Sequence, residues 1–190
     1  MQSCWQNGRW LPAVQKDSPN REPRPHGETV RLVVLHNISL PPFEYGGDAV
    51  ERLFTNRIDP QAHPFFRQLV NLRVSAHFVI ERGGRVMQFV SCDETAYHAG
   101  VSAFRGETGC NRFSVGIELE GCDFEPFTAH QYRALTALLK DLCTAYPIEA
   151  VCGHQDIAPA RKTDPGHFFD WHHLEKHGFP IERGAAAVGF

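Results

Sequence analysis

Two apolar runs far apart in the chain each stop at a histidine: "VRLVVLH", residues 30–36, and "EAVCGH", residues 149–154. Runs this short and this rich in β-branched residues read as buried strands. Strands of this kind, interleaved with helical segments, specify an α/β domain, and the ends of such strands are where sites assemble. A side chain there is held by a rigid sheet yet stays open to solvent. His36 and His154 are therefore either incidental to the fold or two ligands of one metal site.

The remaining elements can be placed by local chemistry. In "SAHFVIERGGRVMQFV" two apolar runs flank Gly83-Gly84, and glycines accept the positive φ of a tight hairpin turn. "RFSVGIELEG" reads as a further strand, stopped by Gly121. "FTAHQYRALTALLKDLCTAYP" is an amphipathic helix opened by a capping box, Thr128 with Gln131, and closed by Pro147. "DAVERLFTN" has helical spacing inside a long, mostly loop-like connection, 37–74, and a last helix is expected near 170–177. The expected fold is α/β: a central mixed β-sheet flanked by helices. Residues 1–28, as in "DSPNREPRPHGE", are polar and rich in proline and read as an N-terminal arm packed on or near the domain. The domain itself is expected over 29–180, with 181–190 a loose tail.

Composition narrows the partners. At 190 residues, 42% hydrophobic and 22% charged, the chain suits one globular domain with a substantial core. A formal charge of −3 without a long basic run argues against nucleic acid, which needs clustered Lys and Arg. No stretch approaches the roughly 20 apolar residues of a membrane span, and the start lacks the apolar core of a secretory signal. Six cysteines, none in a CxxC pair, then read as reduced thiols in a cytoplasmic protein. A monomer is expected.

Eleven histidines invite a search for a third ligand. "GHQDIAPARKTDPG" places Asp164 ten residues after His154 in a proline-rich loop. Two imidazoles and a carboxylate suit zinc and leave its fourth position to water. Hydrolysis also needs a proton carrier, and "GIELEG" supplies Glu118 and Glu120 on one strand face, between which spacing alone cannot choose. Lys162, two residues before Asp164, could stabilise a developing oxyanion. His77 reads as a hydrogen-bonded core residue, and His98 in "AYHAG" as a residue of a cleft wall.

Taken together, "VVLHNISLPP", "LRVSAHFVIERGG", "AYHAGVSAFRG", "FSVGIELEG" and "GHQDIAPARKTDPG" resemble the type-2 N-acetylmuramoyl-L-alanine amidases, over nearly the whole chain. The resemblance implies the mixed-sheet fold shared with T7 lysozyme and the peptidoglycan recognition proteins. It implies a Zn2+ cofactor on His36, His154 and Asp164, with Glu118 as catalytic carboxylate in preference to Glu120, and Lys162 as active-site lysine. Asn37, Arg73 and His98 fall where such amidases line the substrate cleft, and Arg73 could hold a stem-peptide carboxylate bidentately. The implied substrate is an anhydromuropeptide of cell-wall recycling, cut between the lactyl group of anhydro-N-acetylmuramic acid and L-alanine.

Three rival readings stand beside it. A non-catalytic peptidoglycan-binding module would be expected to have lost a ligand or the proton carrier. A general peptidoglycan amidase, exported or phage-type, would use the same chemistry on intact cell wall. A cysteine hydrolase, with Cys110 or Cys152 as nucleophile and His154 as base, would leave Asp164, Lys162 and His36 unexplained.

Overall fold

Short runs of Val, Ile, Leu and Phe build the sheet, because β-branched and aromatic side chains fit a pleated surface buried on both faces. The computed structural model describes residues 4–184. Its six-stranded sheet contains β1 (Val14–Gln15), β2 (Leu32–Ile38), β3 (Phe78–Ile80), β4 (Val86–Gln88), β5 (Ser114–Glu120) and β6 (Ala150–Gly153). The spatial order is β6-β2-β5-β3-β4-β1. All neighbours are parallel except the β3–β4 hairpin. That hairpin turns as expected at the glycine pair: Gly84 takes φ +84° and its N–H donates to the Glu81 carbonyl.

Helices cover both faces. They are α1 (Ala49–Phe54), α2 (Ala129–Ala145), the single turn α3 (His154–Ile157) and α4 (Trp171–Lys176). The capping box of α2 forms, with the Thr128 hydroxyl accepting from Gln131 N–H and the Gln131 side chain accepting from Thr128 N–H. Leu135, Leu138, Leu139 and Leu142 recur on one side of this helix and pack on Val33, Leu35, Val115, Ile117 and Val151. Each buried leucine contributes roughly 1.5–3 kcal/mol over an exposed one. On the other face Leu32, Val34 and Cys152 pack with Phe104 and Phe113, while Val79 joins Phe54, Phe66 and Phe89. Among the described residues no helix is long and apolar enough to cross a membrane.

Both ends of the described chain are stitched into this frame. Val14–Gln15 extends the sheet beside β4, and Arg21–Pro23 pairs with Glu94–Ala96. The N-terminal segment is thus partly a sheet edge, where an arm lying over the domain was expected. At the other end Ile181 bridges to Val151, and Arg183 pairs with Asp156 at 3.0 Å. The first residues of the expected loose tail are therefore tied down; residues 185–190 lie outside the described residues, as do 1–3.

Candidate active site

Neighbouring parallel strands place the site. In the β2–β5 register His36 lies beside Glu118, and in the β2–β6 register Leu35 lies beside Gly153. His154, the next residue, thus leaves the sheet at the height of His36. The loop after α3 then returns Asp164 to the two histidines, with the Gln155 N–H donating to the Asp164 carbonyl.

The result is tight. His36 Nδ1 lies 3.0 Å from His154 Nδ1 and 2.9 Å from Asp164 Oδ2, and His154 Nδ1 lies 3.1 Å from the same oxygen. Both rings are almost fully buried, at 1% and 2% exposure. His154 Nε2 sits 3.0 Å from the Ala99 carbonyl, which can only accept, so Nε2 carries the proton and the lone pair of Nδ1 points at the cluster. Burial alone would raise the Asp164 carboxyl, but the two imidazoles set against it, His154 and His36, outweigh this and hold it below the usual carboxylate range. Burial pushes the His36 pKa down, against the pull of Asp164. A carboxylate oxygen and imidazole nitrogens converging in a dry place form a donor set for a metal ion, and these three residues could hold one.

A cleft of about 570 Å³ opens over this cluster, lined by Glu118 and Lys162 together with Asn37, Phe43, His98 and Asp123. One carboxylate oxygen of Glu118 is buried without a hydrogen-bond partner among the described residues. Burial, reinforced by the charge of Asp164 and opposed by Lys162, lifts its pKa well above the usual range. A carboxyl made more basic in this way is suited to take a proton and return it.

The residues expected to bind substrate fare differently. The Asn37 side chain donates to Asp123 Oδ1 at 2.6 Å and to the Pro165 carbonyl at 3.2 Å, bracing the Asp164 loop from the cleft wall. His98 lines the cleft, but its ring is wedged between His36 and Ser114. The Arg73 guanidinium turns back on its own loop, donating to the Val70 and Leu72 carbonyls at 3.0 and 3.2 Å. It is not brought into the cleft lining, although its neighbour Leu72 is.

Asp123 escaped notice in the sequence. It accepts from Asn37 and from the Thr163 hydroxyl, so it joins the end of β2 to the loop that carries Asp164. Its position two residues past Gly121, just beyond the strand bearing Glu118, was the available signal. Arg161 was also passed over; it lines the cleft and donates to the Ala99 and Val101 carbonyls. The cysteine alternative loses its chemistry: Cys110 and Cys152 are fully buried, and burial pushes both thiols up, away from the thiolate a nucleophile needs.

Comparison with known proteins agrees with this geometry. Residues 26–167 match the family model of N-acetylmuramoyl-L-alanine amidases. The chain belongs to the N-acetylmuramoyl-L-alanine amidase family. It is 52% identical over 165 residues to the 1,6-anhydro-N-acetylmuramyl-L-alanine amidase AmpD of Escherichia coli (strain K12), covering 85% of this chain and 90% of that one. A crystal structure of a selenomethionine AmpD derivative superposes with a TM-score of 0.88 at 48% identity, over 90% of this chain and 97% of that chain. The amidase AmiD of E. coli, solved in complex with the substrate anhydro-N-acetylmuramic acid-L-Ala-D-gamma-Glu-L-Lys, gives a TM-score of 0.60 at 30% identity, over 90% of this chain and 62% of that one. The mixed sheet with flanking helices is thus the type-2 amidase fold. The matched segment takes in His36, Glu118, His154 and Asp164.

Proposed function

We propose that this amidase is a cytoplasmic, zinc-dependent enzyme that cuts the amide between anhydro-N-acetylmuramic acid and L-alanine of anhydromuropeptides. The observation that carries the reading is the convergence of His36 Nδ1, His154 Nδ1 and Asp164 Oδ2 within 3.1 Å of one another, below an unpartnered Glu118 oxygen. The preference for the anhydro sugar is supported by the AmpD relatives and by the substrate named in the AmiD complex.

His36, His154 and Asp164 would hold the zinc. Zinc there supplies Lewis acidity, drawing the pKa of a water from about 15.7 toward about 7 and polarising the scissile carbonyl. Glu118 accepts the proton of the attacking water and delivers it to the departing amine of L-alanine. Its raised pKa suits both halves of that transfer. Lys162, on the same cleft wall, donates to the oxyanion as the tetrahedral intermediate forms. Asn37 and Asp123 keep the Asp164 loop in place. His98 lines the cleft with its ring held between His36 and Ser114. Arg73, with Nη1 on the Val70 and Leu72 carbonyls and outside the cleft lining, would have to swing inward to meet a stem-peptide carboxylate.

The test compares metal-stripped and zinc-restored enzyme on two matched muropeptides, one ending in 1,6-anhydro-muramic acid and one in reducing muramic acid, with released stem peptide quantified. Zinc-dependent release that strongly favours the anhydro substrate is expected. Equal release from both would replace the recycling enzyme with a general cell-wall amidase, and release unaffected by metal removal would overturn the zinc assignment.

A further inference from the structure

A metal-binding histidine must present one particular nitrogen, and the hydrogen bond made by its other nitrogen decides which one is bare. For His154 the Ala99 carbonyl makes that decision. Among the described residues no carbonyl stands behind His36. Its Nε2 faces another ring instead, His98 Nδ1 at 3.0 Å. Two facing imidazole nitrogens do not settle which of them holds the proton, so the answer has to come from further back.

Ser114 supplies it. His98 Nε2 lies 3.1 Å from Ser114 Oγ, and that hydroxyl donates to the Cys110 carbonyl at 2.6 Å. A carbonyl only accepts, and a hydroxyl has a single proton, so Ser114 Oγ has only its lone pairs left for His98. His98 must then donate from Nε2, which leaves Nδ1 of the neutral ring bare. A bare His98 Nδ1 accepts from His36 Nε2–H, and the lone pair of His36 Nδ1 is turned to His154 and Asp164. Ser114 is fully buried, so water does not compete for its hydroxyl.

The backbone is shaped around this relay. A Cβ on Gly116 would stand 2.4 Å from His98 Cγ, so only glycine lets the ring lie against β5. The Asn111 side-chain oxygen accepts from both the His98 and the Ala99 N–H, at 3.2 and 2.8 Å. One short segment, residues 98–99, therefore supplies the outer partner of both histidines: a ring for His36 and a carbonyl for His154.

We propose that Ser114 and His98 are positioning residues that set the tautomer of His36, with Ser114 acting two hydrogen bonds away from the metal-binding nitrogen. The proposal deepens the zinc reading and rests on His36 using Nδ1 as its ligand atom. In the structure both ring nitrogens of His98 are occupied by protein groups, Nδ1 by His36 and Nε2 by Ser114.

The test has one arm without metal. Long-range 15N–1H NMR of the metal-free wild-type protein should show Nε2–H tautomers for His36 and His98. A predominant Nδ1–H tautomer at His36 would overturn the relay whatever the protein does with zinc. The second arm measures zinc affinity by competition with a chromogenic chelator. Ser114→Ala and His98→Leu should each weaken zinc binding by roughly 10–100-fold. His98→Asn, whose amide oxygen can still accept from His36, should recover most of the loss, which a merely space-filling role would not allow. Should Ser114→Ala fail to fold, the Asn–Leu comparison at position 98 decides alone. Wild-type-like affinity in the His98→Leu protein would sink the relay. Failure of the wild type itself to bind zinc would sink the functional reading, and the metal-free spectra would still judge the relay.

Discussion

Glu118 and Glu120 leave the same strand on the same face, and their surroundings separate them. Glu120 is almost fully buried and accepts from the backbone N–H groups of Gly46 and Arg82. It is a strut that ties the loop before α1 to the hairpin. Glu118 keeps a buried oxygen with no partner, an arrangement that costs about 1–3 kcal/mol and persists where a group is kept free for chemistry. Glu118→Gln should therefore lower kcat by roughly 10²–10⁴-fold and leave zinc content unchanged, read by turnover and metal analysis on one preparation. Glu120→Ala should instead lower the urea midpoint, by an amount worth about 1–3 kcal/mol, with kcat within a few-fold of wild type. Reversal of these two phenotypes would exchange the roles. The sequence could not make this choice from spacing, because a strand period of two makes the two positions equivalent; only the resemblance favoured Glu118, and the difference lies in which backbone amides come near.

At the scale of elements, the local signals proved readable and the non-local ones did not. The glycine hairpin, the capping box of α2 and the strands bearing His36 and Glu118 all follow from residues a few positions apart. The three candidate metal ligands could be nominated because their types are distinctive and two of them end strands. The pairing of Val14–Gln15 with β4 left no mark, since it is made by backbone groups of residues more than seventy positions apart. Ser114 was silent for a related reason: a serine at the start of a strand is ordinary until the His98 ring is set against it. His77, read as a hydrogen-bonded core residue, joins several of these elements. Its Nδ1 accepts from Gly116 N–H in β5, and its Nε2 lies 3.1 Å from the Glu94 carbonyl. Burial, aided by the charge of Arg24, depresses its pKa to about 3. The unfolded chain takes up this proton near pH ~6.5, whereas the folded chain resists until about pH 3. Stability from His77 is thus complete above about pH 6.5 and is lost as the pH falls toward about 3, because the unfolded state binds the proton first. Between about pH 7.5 and about pH 5 the loss amounts to about 2 kcal/mol. Urea unfolding across that interval should show a steeper decline for wild type than for His77→Asn. Parallel declines would mean that this proton is not what acid acts upon.

For the whole molecule, closure depends on one cation that the sequence placed in a proline-rich arm. Arg24 donates from Nε to the Cys92 carbonyl at 2.9 Å, from Nη1 to those of Asn111 and Arg112 at 3.2 and 2.7 Å, and from Nη2 to that of Ser114 at 2.8 Å. These carbonyls come from the segment after β4, from the turn that leads into β5 and from the first residue of β5, so a single fork joins the N-terminal segment to all three. The planar guanidinium offers five N–H donors in fixed directions, whereas an ammonium offers three around one point. Arg24→Lys keeps the charge and most of the length, yet it cannot serve carbonyls spread around a plane. Each charge-assisted hydrogen bond lost with a carbonyl left dry costs about 1.5–3 kcal/mol. Arg24→Lys should therefore lose about 2–4 kcal/mol, and Arg24→Ala more, in urea unfolding at fixed pH with the metal removed from both proteins. If charge alone held this junction, lysine would stand within about 0.5 kcal/mol of wild type and only alanine would fall. The spread of four carbonyls around one guanidinium predicts that lysine falls most of the way with it.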